Sequence, residues 1–466
     1  MDGPNDILAS ALLTDQRDTD SDVIIVGAGA AGLAAARELR LAGVQITVLE
    51  ARSRVGGRIF TYRDPRVSAP IELGAEFLHG TTPETDAIIS EAKLTPCEVV
   101  GDHWRAEDGK LTRADKIWER IGRVMERLDP HRTPDQSFLE YVQSYARKPK
   151  LARNRRLACE FVQGFHAADV SRISAQALAE NGNPGESTED ERMGRLLEGY
   201  DRVPAWLARE VYDAVSMHTV VHRITWEPGH VQVDAHSADG ETYVSYAGRA
   251  AIITVPLSIL QRVSSEPGSI EFSPDVPAMR EAVSRLAMGS AIRVVFAFRE
   301  PFWERRRRKS RDGGALMQLS FVHGRGTDVP VWWTLFPLRL PVLVGWTGGP
   351  PAAQLARYDD ATITHRALTS LAHHLGMPLR HLESLVEGAW THNWDCDPFT
   401  QGAYSYALVG GRHAAAQLAH PVSSTLFFAG EAAADSGRNG TVEGALATGR
   451  RAARGVLSAL RDHVSA

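Results

Sequence analysis

The chain contains 466 residues, more than a single hydrophobic core usually supports, so two domains are expected. Its formal net charge of −5 argues against a general nucleic-acid-binding surface, because such surfaces normally carry a basic excess. Three widely separated cysteines without a CxxC pair indicate neither a disulfide framework nor a cysteine metal site, and they fit a reducing cytoplasm.

No targeting or membrane segment is recognised along the chain. Residues 1–19 are polar and acidic around a short apolar stretch, so we expect a flexible tail rather than a signal peptide. No run approaches the roughly 18 apolar residues that a membrane span requires. We therefore expect a cytoplasmic protein that does not bind a membrane.

The first glycine-rich turn lies between a predicted strand and a predicted helix. Residues 22–26 are a β-branched run typical of a buried parallel strand, and residues 30–42 predict a helix rich in Ala and Leu. Gly27 permits the tight turn, Gly29 lets the backbone approach a pyrophosphate, and Gly32 lets the helix pack on the strand. Amides at the start of the helix would hold the phosphates, so the pattern predicts a dinucleotide site.

The segment that follows narrows the choice of dinucleotide. Gly43 predicts the end of the helix and residues 45–49 a second strand. Glu50, 23 residues after Gly27, stands where a ribose-binding carboxylate is expected. Residues 51–58 then add three arginines and a glycine pair that could hold further phosphate oxygens. An NAD domain needs no such extension.

A second cofactor-like segment lies near the opposite end of the chain. Residues 426–429 predict a strand, Gly430 permits close backbone approach, and Glu431 could accept hydroxyls of a cofactor or pair with an arginine. A helix is predicted to begin at Thr441. Two such segments flanking the whole chain indicate one long cofactor in a domain built from both ends, and this favours FAD.

Residues 50–58, Glu-Ala-Arg-Ser-Arg-Val-Gly-Gly-Arg, resemble the flavin-containing amine oxidase family of monoamine and polyamine oxidases. Residues 71–80 resemble the family segment that runs beside the isoalloxazine ring. The resemblance covers about residues 20–460. It implies an α/β fold, in which a Rossmann-type FAD-binding domain assembled from discontinuous segments joins an α+β substrate domain with a mixed sheet and a helical portion.

The domain boundaries expected from this resemblance divide residues 20–460 into five segments. The FAD-binding domain would comprise residues 20–81, 199–260 and 395–460, and the substrate domain residues 82–198 and 261–394. We interpret residues 82–193 as helical. Strands are predicted near residues 219–226, 251–256, 293–298, 331–334 and 343–346, the last three in a mixed sheet that forms one wall of a pocket. The basic run 305–309 is interpreted as a solvated loop.

The residues, motifs and family positions together predict the cofactor site. Its predicted residues are Gly27, Gly29, Ala31, Gly32, Glu50, Ala51, Arg52, Gly56, Gly57, Arg58, Gly74, Ala75, Glu76, Val221, Trp394, Gly430, Glu431, Gly440, Thr441, Val442 and Ala445. In the family, the backbone at the Val221 position meets the adenine, and the amides that begin the last helix face the flavin ring, where the helix dipole favours the reduced anion. No metal is predicted.

The predicted catalytic residues are Arg293, Tyr404, His79, Trp394 and Thr441. The resemblance implies that Trp394 packs on the flavin and that Tyr404 is one wall of an aromatic sandwich around the amine nitrogen. The opposite wall falls on Thr441, which favours a polyamine or secondary amine over a simple monoamine. His79 lies where several polyamine oxidases place a polar residue near the substrate, although a structural histidine bonded to backbone fits equally.

Two positions depart from the family pattern. Ala403 replaces the cysteine that bonds the flavin in monoamine oxidases, so FAD should be held non-covalently. Arg293 falls where the family usually has a lysine that holds a water against flavin N5. Arginine keeps the positive charge but is larger and is effectively unable to act as a base.

The reaction implied by the resemblance is hydride transfer from the amine α-carbon to flavin N5, followed by imine hydrolysis and reduction of O2 to hydrogen peroxide. The expected partners are a small-molecule amine and O2, with no nucleic acid, and a homodimer is left open. One alternative is an L-amino-acid oxidase or another related flavin oxidoreductase. A second, motivated by Arg293, is a catalytically weakened FAD-binding scaffold that binds a protein partner.

Overall fold

The computed structural model describes residues 19–114, 116–145, 151–180, 193–263, 266, 268–305, 316–435 and 437–462. The predicted flexible tail therefore lies outside the described residues except for Thr19. The same holds for residues 306–309 of the basic run, whose first member, Arg305, pairs with Glu300 at 2.6 Å.

Short strands and helices follow one another along the described ranges of the chain. The strands are β1 (Thr19–Asp20), β2 (Val23–Val26), β3 (Ile46–Leu49), β4 (Thr61–Tyr62), β5 (Ile71–Glu72), β6 (Leu78–His79), β7 (Pro96–Glu98), β8 (Asp102–Glu107), β9 (Lys110–Arg113), β10 (Met193–Leu196), β11 (Val215–Ser216), β12 (Thr219–Glu227), β13 (His230–Ser237), β14 (Tyr243–Gly248), β15 (Ala250–Ile253), β16 (Glu271–Ser273), β17 (Leu286–Met288), β18 (Ala291–Phe298), β19 (Leu319–His323), β20 (Val331–Thr334), β21 (Val342–Gly348), β22 (Val386–Thr391), β23 (Ser405–Ala407) and β24 (Leu426–Phe428). The helices are α1 (Ala30–Leu41), α2 (Pro83–Ala92), α3 (Ile117–Met125), α4 (Phe138–Tyr145), α5 (Ala152–Phe165), α6 (Ala175–Glu180), α7 (Arg202–Ala208), α8 (Leu257–Gln261), α9 (Pro277–Ser284), α10 (Pro350–Leu355), α11 (Asp360–Leu375), α12 (Leu379–Glu383), α13 (Ala414–Leu418) and α14 (Val442–Asp462).

A parallel sheet brings the two ends of the chain together in the order β11-β3-β2-β15-β24. Its strands β2 and β15 are buried along their full length, as expected for a sheet covered on both faces. Helices α1 and α14 cover one face, and the sheet β1-β14-β13-β12-β16 with α9 covers the other. A Cβ on Gly449 would lie only 2.1 Å from the Ala31 carbonyl oxygen, so this glycine lets α14 approach α1. The predicted discontinuous domain is confirmed.

A mixed sheet of seven strands forms the other half of the molecule, in the order β22-β18-β21-β20-β19-β8-β9. Neighbouring strands are antiparallel except β19 and β8, which are parallel. One face packs on α10, α11 and α12 around the fully buried Trp332. The opposite face turns toward the parallel-sheet domain, and the mixed sheet expected from the sequence is confirmed.

The interpretation of residues 82–193 as helical is only partly correct. Helices α3 to α6 form a core of their own, in which Phe138 is fully buried. The same region, however, also contains β7, β8 and β9. Strands β8 and β9 join through Asp108 and Gly109, both with positive φ, in a two-residue turn that fits an Asp-Gly hairpin. That dipeptide was the signal in the sequence for the hairpin.

The expected domain boundaries remain a prediction. The hydrophobic cores on the two faces of the parallel sheet, however, include residues from segments that were assigned to the substrate domain. Ile88, Ile89 and Leu196, from the segment assigned to the substrate domain, pack in the core of the parallel sheet with α1 and α14. Phe272 and Met279, after the expected boundary at residue 260, pack in the core on its other face. Helix α2 and the β16–α9 segment thus associate with the parallel-sheet domain through apolar contacts.

Candidate active site

A cavity of about 1290 Å³ separates the parallel sheet from the seven-stranded sheet. It exceeds the roughly 300–1,000 Å³ of ordinary small-molecule sites, so it can accept a long ligand and a second molecule beside it. All predicted site residues except Gly32 line it. A Cβ on Gly32 would lie 1.9 Å from the Gly27 carbonyl oxygen. Gly32 therefore lets the start of the helix pack closely on the turn, which is the role predicted for it, and its membership of the cofactor site stays a prediction.

The first turn and the start of α1 form one end of the cavity. Gly27 has a φ of 103°, which other residues rarely adopt. A Cβ on Gly29 would meet no atom within 4 Å, because this residue faces open space. Gly29 is also the N-cap of α1 and makes no side-chain capping bond, and no acidic residue stands in the first turn. The first amides of α1 are thus left for an anionic ligand.

Glu50 lies beside this turn and is buried. Its carboxylate accepts hydrogen bonds from the backbone amides of Ala28 at 2.8 Å and Arg52 at 2.9 Å. Burial raises the pKa of Glu50, and these two amide bonds oppose the rise. Glu50 lines the cavity, and the sequence predicted a ribose-binding carboxylate at this position.

The three arginines that follow Glu50 all bind protein groups. Arg52 contacts Asp397 and donates to Thr400 Oγ1 at 2.7 Å. Arg58 donates to the Ala403 carbonyl at 2.7 Å and to the Glu431 carboxylate at 2.8 Å. Arg54 donates to backbone carbonyls of its own loop and does not line the cavity. Arg52 and Arg58 thus tie the loop after Glu50 to distant segments of the chain.

The C-terminal segment completes the far wall through Glu431. Its buried carboxylate accepts from Arg58, from Ser405 Oγ at 2.6 Å and from the Gly440 amide at 3.1 Å. Of the two roles considered for Glu431, the structure shows the pairing with an arginine. Thr441 Oγ1 accepts from the Gly444 amide at 2.9 Å and thereby caps the start of α14.

A buried cluster of charges surrounds Arg293. Its guanidinium pairs with the Glu76 carboxylate at 2.9 Å and donates to the Glu72 carbonyl at 3.1 Å. Glu76 lies 3.4 Å from the guanidinium of Arg195, which is also buried and has no hydrogen-bond partner among the described residues. Burial raises the pKa of Glu72 to about 7. Glu76, predicted to bind the cofactor, here holds two arginines through its side chain.

Aromatic rings enclose the cavity next to Arg293. Trp333 and Trp346 lie with their ring centres 5.3 Å and 5.8 Å from the guanidinium carbon. Tyr404 donates its hydroxyl to the Phe165 carbonyl at 2.6 Å, and burial raises its pKa. Trp394 is buried and donates to the Leu73 carbonyl at 2.8 Å. The strands that carry Trp333 and Trp346 were predicted to form one wall of a pocket, but these two side chains and Phe165 were not named as site residues, because their spacing in the chain is that of ordinary core residues.

His79 also lines the cavity, 5.4 Å from the ring of Phe165. Its side chain has accessible surface, but that surface faces the cavity, so the surrounding protein still desolvates the ring. Burial lowers the pKa of His79 to about 4. His79 is therefore neutral at physiological pH, and no hydrogen bond from its ring to backbone is found among the described residues.

His103 and His323, also missed, form a hydrogen-bonded pair at the far end of the cavity, with Nδ1 and Nε2 3.0 Å apart. Burial lowers the pKa of His103 to about 4 and that of His323 to about 3. A histidine in an unfolded chain has a pKa near 6.5. As the pH falls from 6.5 to about 4, His103 and His323 therefore bind protons in the unfolded chain but stay neutral in the folded chain. This pair should therefore make the protein less stable in acid.

We expect His103→Phe/His323→Phe to gain stability over the wild-type protein as the pH falls through this range, by up to about 1.4 kcal/mol per pH unit for each histidine. Urea unfolding of the variant and of the wild-type protein at pH 7.5, 6 and 5 measures the difference in stability. The contributions of titratable groups that both proteins contain, such as Glu72, cancel in this difference. A difference that does not change with pH would contradict the expectation.

No helix in the described ranges is both long and apolar enough to cross a bilayer. Among the same residues, no group of three or more His, Cys, Asp or Glu side chains could hold a metal ion. Ala403, the residue before Tyr404, packs in a small cluster with Ala167 and Ala291.

The fold and the cavity define a protein with a dinucleotide-type site in a domain that is built from both ends of the chain. The sequence pattern of the family described as "Flavin containing amine oxidoreductase" matches residues 30–457. The chain belongs to this family, and FAD is its cofactor, as predicted.

Individual proteins agree with this assignment. The chain is 29% identical to "Polyamine oxidase 2" of Arabidopsis thaliana over 92% of its own length and 87% of that protein. Its fold matches that of a putrescine oxidase with a TM-score of 0.77 at 22% identity, covering 94% of this chain and 99% of the other. The fold also matches that of cyclohexylamine oxidase from Brevibacterium oxydans with a TM-score of 0.76 at 20% identity, covering 95% of this chain and 100% of the other.

Proposed function

We propose that the chain is an FAD-dependent oxidase of amines. The observation that carries the proposal is one continuous cavity that joins the open turn at Gly29, the start of α14 and the aromatic enclosure beside Arg293. When bound, FAD would supply a hydride acceptor for the amine α-carbon and a route for the electrons to O2, with hydrogen peroxide as product.

The residues along the cavity fit this cofactor. The uncapped start of α1 and the open space at Gly29 suit a pyrophosphate, and Glu50 lies where a ribose hydroxyl would need an acceptor. We propose that Arg58 and Glu431 brace the loop that would hold the middle of FAD, and that Trp394 and the first amides of α14 would flank its ring. Val221 and Ala445 line the cavity at positions that support this assignment.

The reactive end would select the neutral form of an amine. Burial disfavours an ammonium ion, and the positive charge of Arg293, held by Glu76 inside the protein, adds repulsion. Trp333, Trp346 and Tyr404 would exclude water and orient the substrate carbon. Arg293 cannot act as a base, so we propose that the amine loses its proton before it binds.

The choice among amines rests on two supports. The relatives include proteins named polyamine oxidase and putrescine oxidase, and Thr441 leaves only one aromatic wall, Tyr404. We propose a polyamine or a secondary amine in preference to a simple monoamine. A cytoplasmic location and a homodimer stay predictions.

An L-amino-acid oxidase is the second candidate function, and it would require an arginine that binds the substrate carboxylate. Arg293 fits this role less well, because its Nη1 group already binds the Glu76 carboxylate and the Glu72 carbonyl and so is not free for a substrate carboxylate. The third candidate, an inactive scaffold, would bind FAD without reducing it.

One experiment separates the three candidates. The purified yellow protein is mixed without oxygen with primary amines, N-methylamines, polyamines and L-amino acids, and the flavin absorbance at about 450 nm is followed. Bleaching by amines, with hydrogen peroxide released on admission of air, is the expected result. Bleaching by L-amino acids alone, or by nothing in the panel, would overturn the proposal.

We further expect all the flavin to leave the protein on denaturation, because Ala403 stands where a covalent link would need a cysteine. Acid precipitation followed by measurement of absorbance in the pellet and the supernatant checks this. Yellow colour that remains in a washed pellet would contradict it.

A further inference from the structure

The cavity has an arm that the proposed chemistry does not use. One wall of the arm is the sheet, where pairing across β8, β19, β20 and β21 places alternate residues on one face. These cavity-lining residues are His103, Phe321, His323, Trp333 and Trp346. Because Trp346 and Tyr404 pack against the same small cluster of alanines and Trp333 lies beside Arg293, the arm runs from the reactive end to the histidine pair.

The opposite wall is helical and also aromatic. Phe161 and Phe165, four residues apart on α5, stack with ring centres 5.1 Å apart. The ring centre of Trp118 on α3 lies 5.8 Å from that of Phe161 and 6.0 Å from that of His103. Trp118 thereby connects the helical wall to the sheet wall at the end of the arm. An elongated apolar or aromatic group would therefore be surrounded by ring faces and edges.

The histidine pair gives this apolar arm a defined polar end. The hydrogen bond uses Nδ1 of His103 and Nε2 of His323, and the described residues offer no partner to His103 Nε2 or His323 Nδ1. In two neutral imidazoles joined this way, one free nitrogen carries a proton and the other does not, whichever ring donates. The pair thus offers one donor and one acceptor, which suits a hydroxyl or carboxamide group.

A second ammonium group fits this arm less well. The other carboxylates that line the cavity, those of Glu50, Glu76, Glu431 and Glu443, are bound by backbone amides or arginines. Glu160 is the carboxylate at the arm, but Arg156 lies 3.8 Å from it and Arg105 and Arg325 are nearby, so a second ammonium group would also meet positive charge there. The two histidines are neutral and offer no counter-charge.

We propose that this arm, lined by Trp118, Phe161, Phe165, Phe321, His103 and His323, is a subsite for the end of the amine substrate remote from the reacting nitrogen. The substrate class is an amine with an apolar or aromatic body and one neutral hydroxyl or carboxamide group at its far end. This rests on the proposed oxidase function and, within it, favours a secondary amine over a polyamine.

Equilibrium binding of amines that cannot be oxidised tests the subsite on the FAD-loaded protein. Three probes carry two methyl groups in place of the α-hydrogens, and they end in a phenyl, a 4-hydroxyphenyl or a second ammonium group. Calorimetry should give a dissociation constant about 10-fold lower for the hydroxyphenyl probe than for the phenyl probe. A change of this size corresponds to the net contribution of about one to two hydrogen bonds. The diamine should bind weakest.

His103→Phe/His323→Phe keeps the rings and removes the hydrogen bonds. It should abolish the 10-fold preference while the phenyl probe binds within about threefold of the wild-type value. His323→Gln, which restores a donor and an acceptor, should recover part of the preference and serves as the second variant if the double one retains no FAD. His222→Gln is the control, since His222 packs on His236 away from the cavity.

The proposal is overturned if the diamine binds tightest, or if the preference for the hydroxyphenyl probe survives in the double variant. Its failure is distinguishable from that of the oxidase proposal. If no amine bleaches the flavin but the probes bind in the expected order, the oxidase proposal fails and the subsite stands. If amines bleach the flavin but the double variant keeps the preference, the subsite alone is wrong.

Discussion

Replacing Glu76 by glutamine should cost about 3–5 kcal/mol of the free energy of unfolding, the largest effect expected for a single charged residue in this protein. Glu76 is buried between Arg293, at 2.9 Å, and Arg195, at 3.4 Å. The substitution leaves two buried guanidinium groups without their shared counter-charge. Urea unfolding with saturating FAD measures the loss, and the rate of flavin reduction should fall because Arg293 is no longer held in place.

The matched control is Glu271→Gln, which also breaks an arginine–glutamate pair. Its partner is Arg223 at 2.9 Å, but both side chains are about half exposed, at 47% and 49%. Water and salt screen such a pair, so the loss should stay below about 1 kcal/mol. Equal losses in the two variants would show that the Glu76 cluster is solvated and does not owe its strength to burial.

Gly29→Ala should weaken FAD binding roughly 5- to 150-fold while leaving the fold intact. Gly29 has a φ of −75°, which alanine adopts readily, and a Cβ there would meet no protein atom within 4 Å. The added methyl group would instead occupy space proposed for the pyrophosphate, and overpacking of this kind costs about 1–3 kcal/mol. Recovery of flavin fluorescence on dilution of the holoprotein gives the dissociation constant.

Gly32→Ala provides the opposite case three residues away. Its Cβ would lie 1.9 Å from the Gly27 carbonyl oxygen, so the turn or the helix must move. We expect a loss of about 3 kcal/mol in unfolding free energy, the upper end of the usual cost of overpacking, with or without FAD. If Gly29→Ala instead destabilised the FAD-free protein as much as Gly32→Ala does, the open space at Gly29 would have no link to the cofactor.

Much of the cofactor half could be predicted because its signals are local. A tight turn before a helix needs Gly27, and a buried parallel strand needs the apolar run that became β2, so both features are written in consecutive residues. The same holds for Gly43 at the end of α1 and for α14, which begins directly after Thr441. The discontinuous FAD-binding domain followed from two such local patterns at opposite ends of the chain.

What only the tertiary structure decided are pairings between residues far apart in the chain. Glu76 meets Arg195 and Arg293, and His103 meets His323, 220 residues away, without any motif that links them. Glu76 and Arg293 were predicted to belong to the site, but not to pair with each other, and Arg195, His103 and His323 alone have the appearance of surface or core residues. The ionisation of these side chains depends on burial and on the partner with which each shares a charge or a proton. Only folding creates the two conditions, because it removes water and brings distant segments together, as it does when strands β8 and β19 pair.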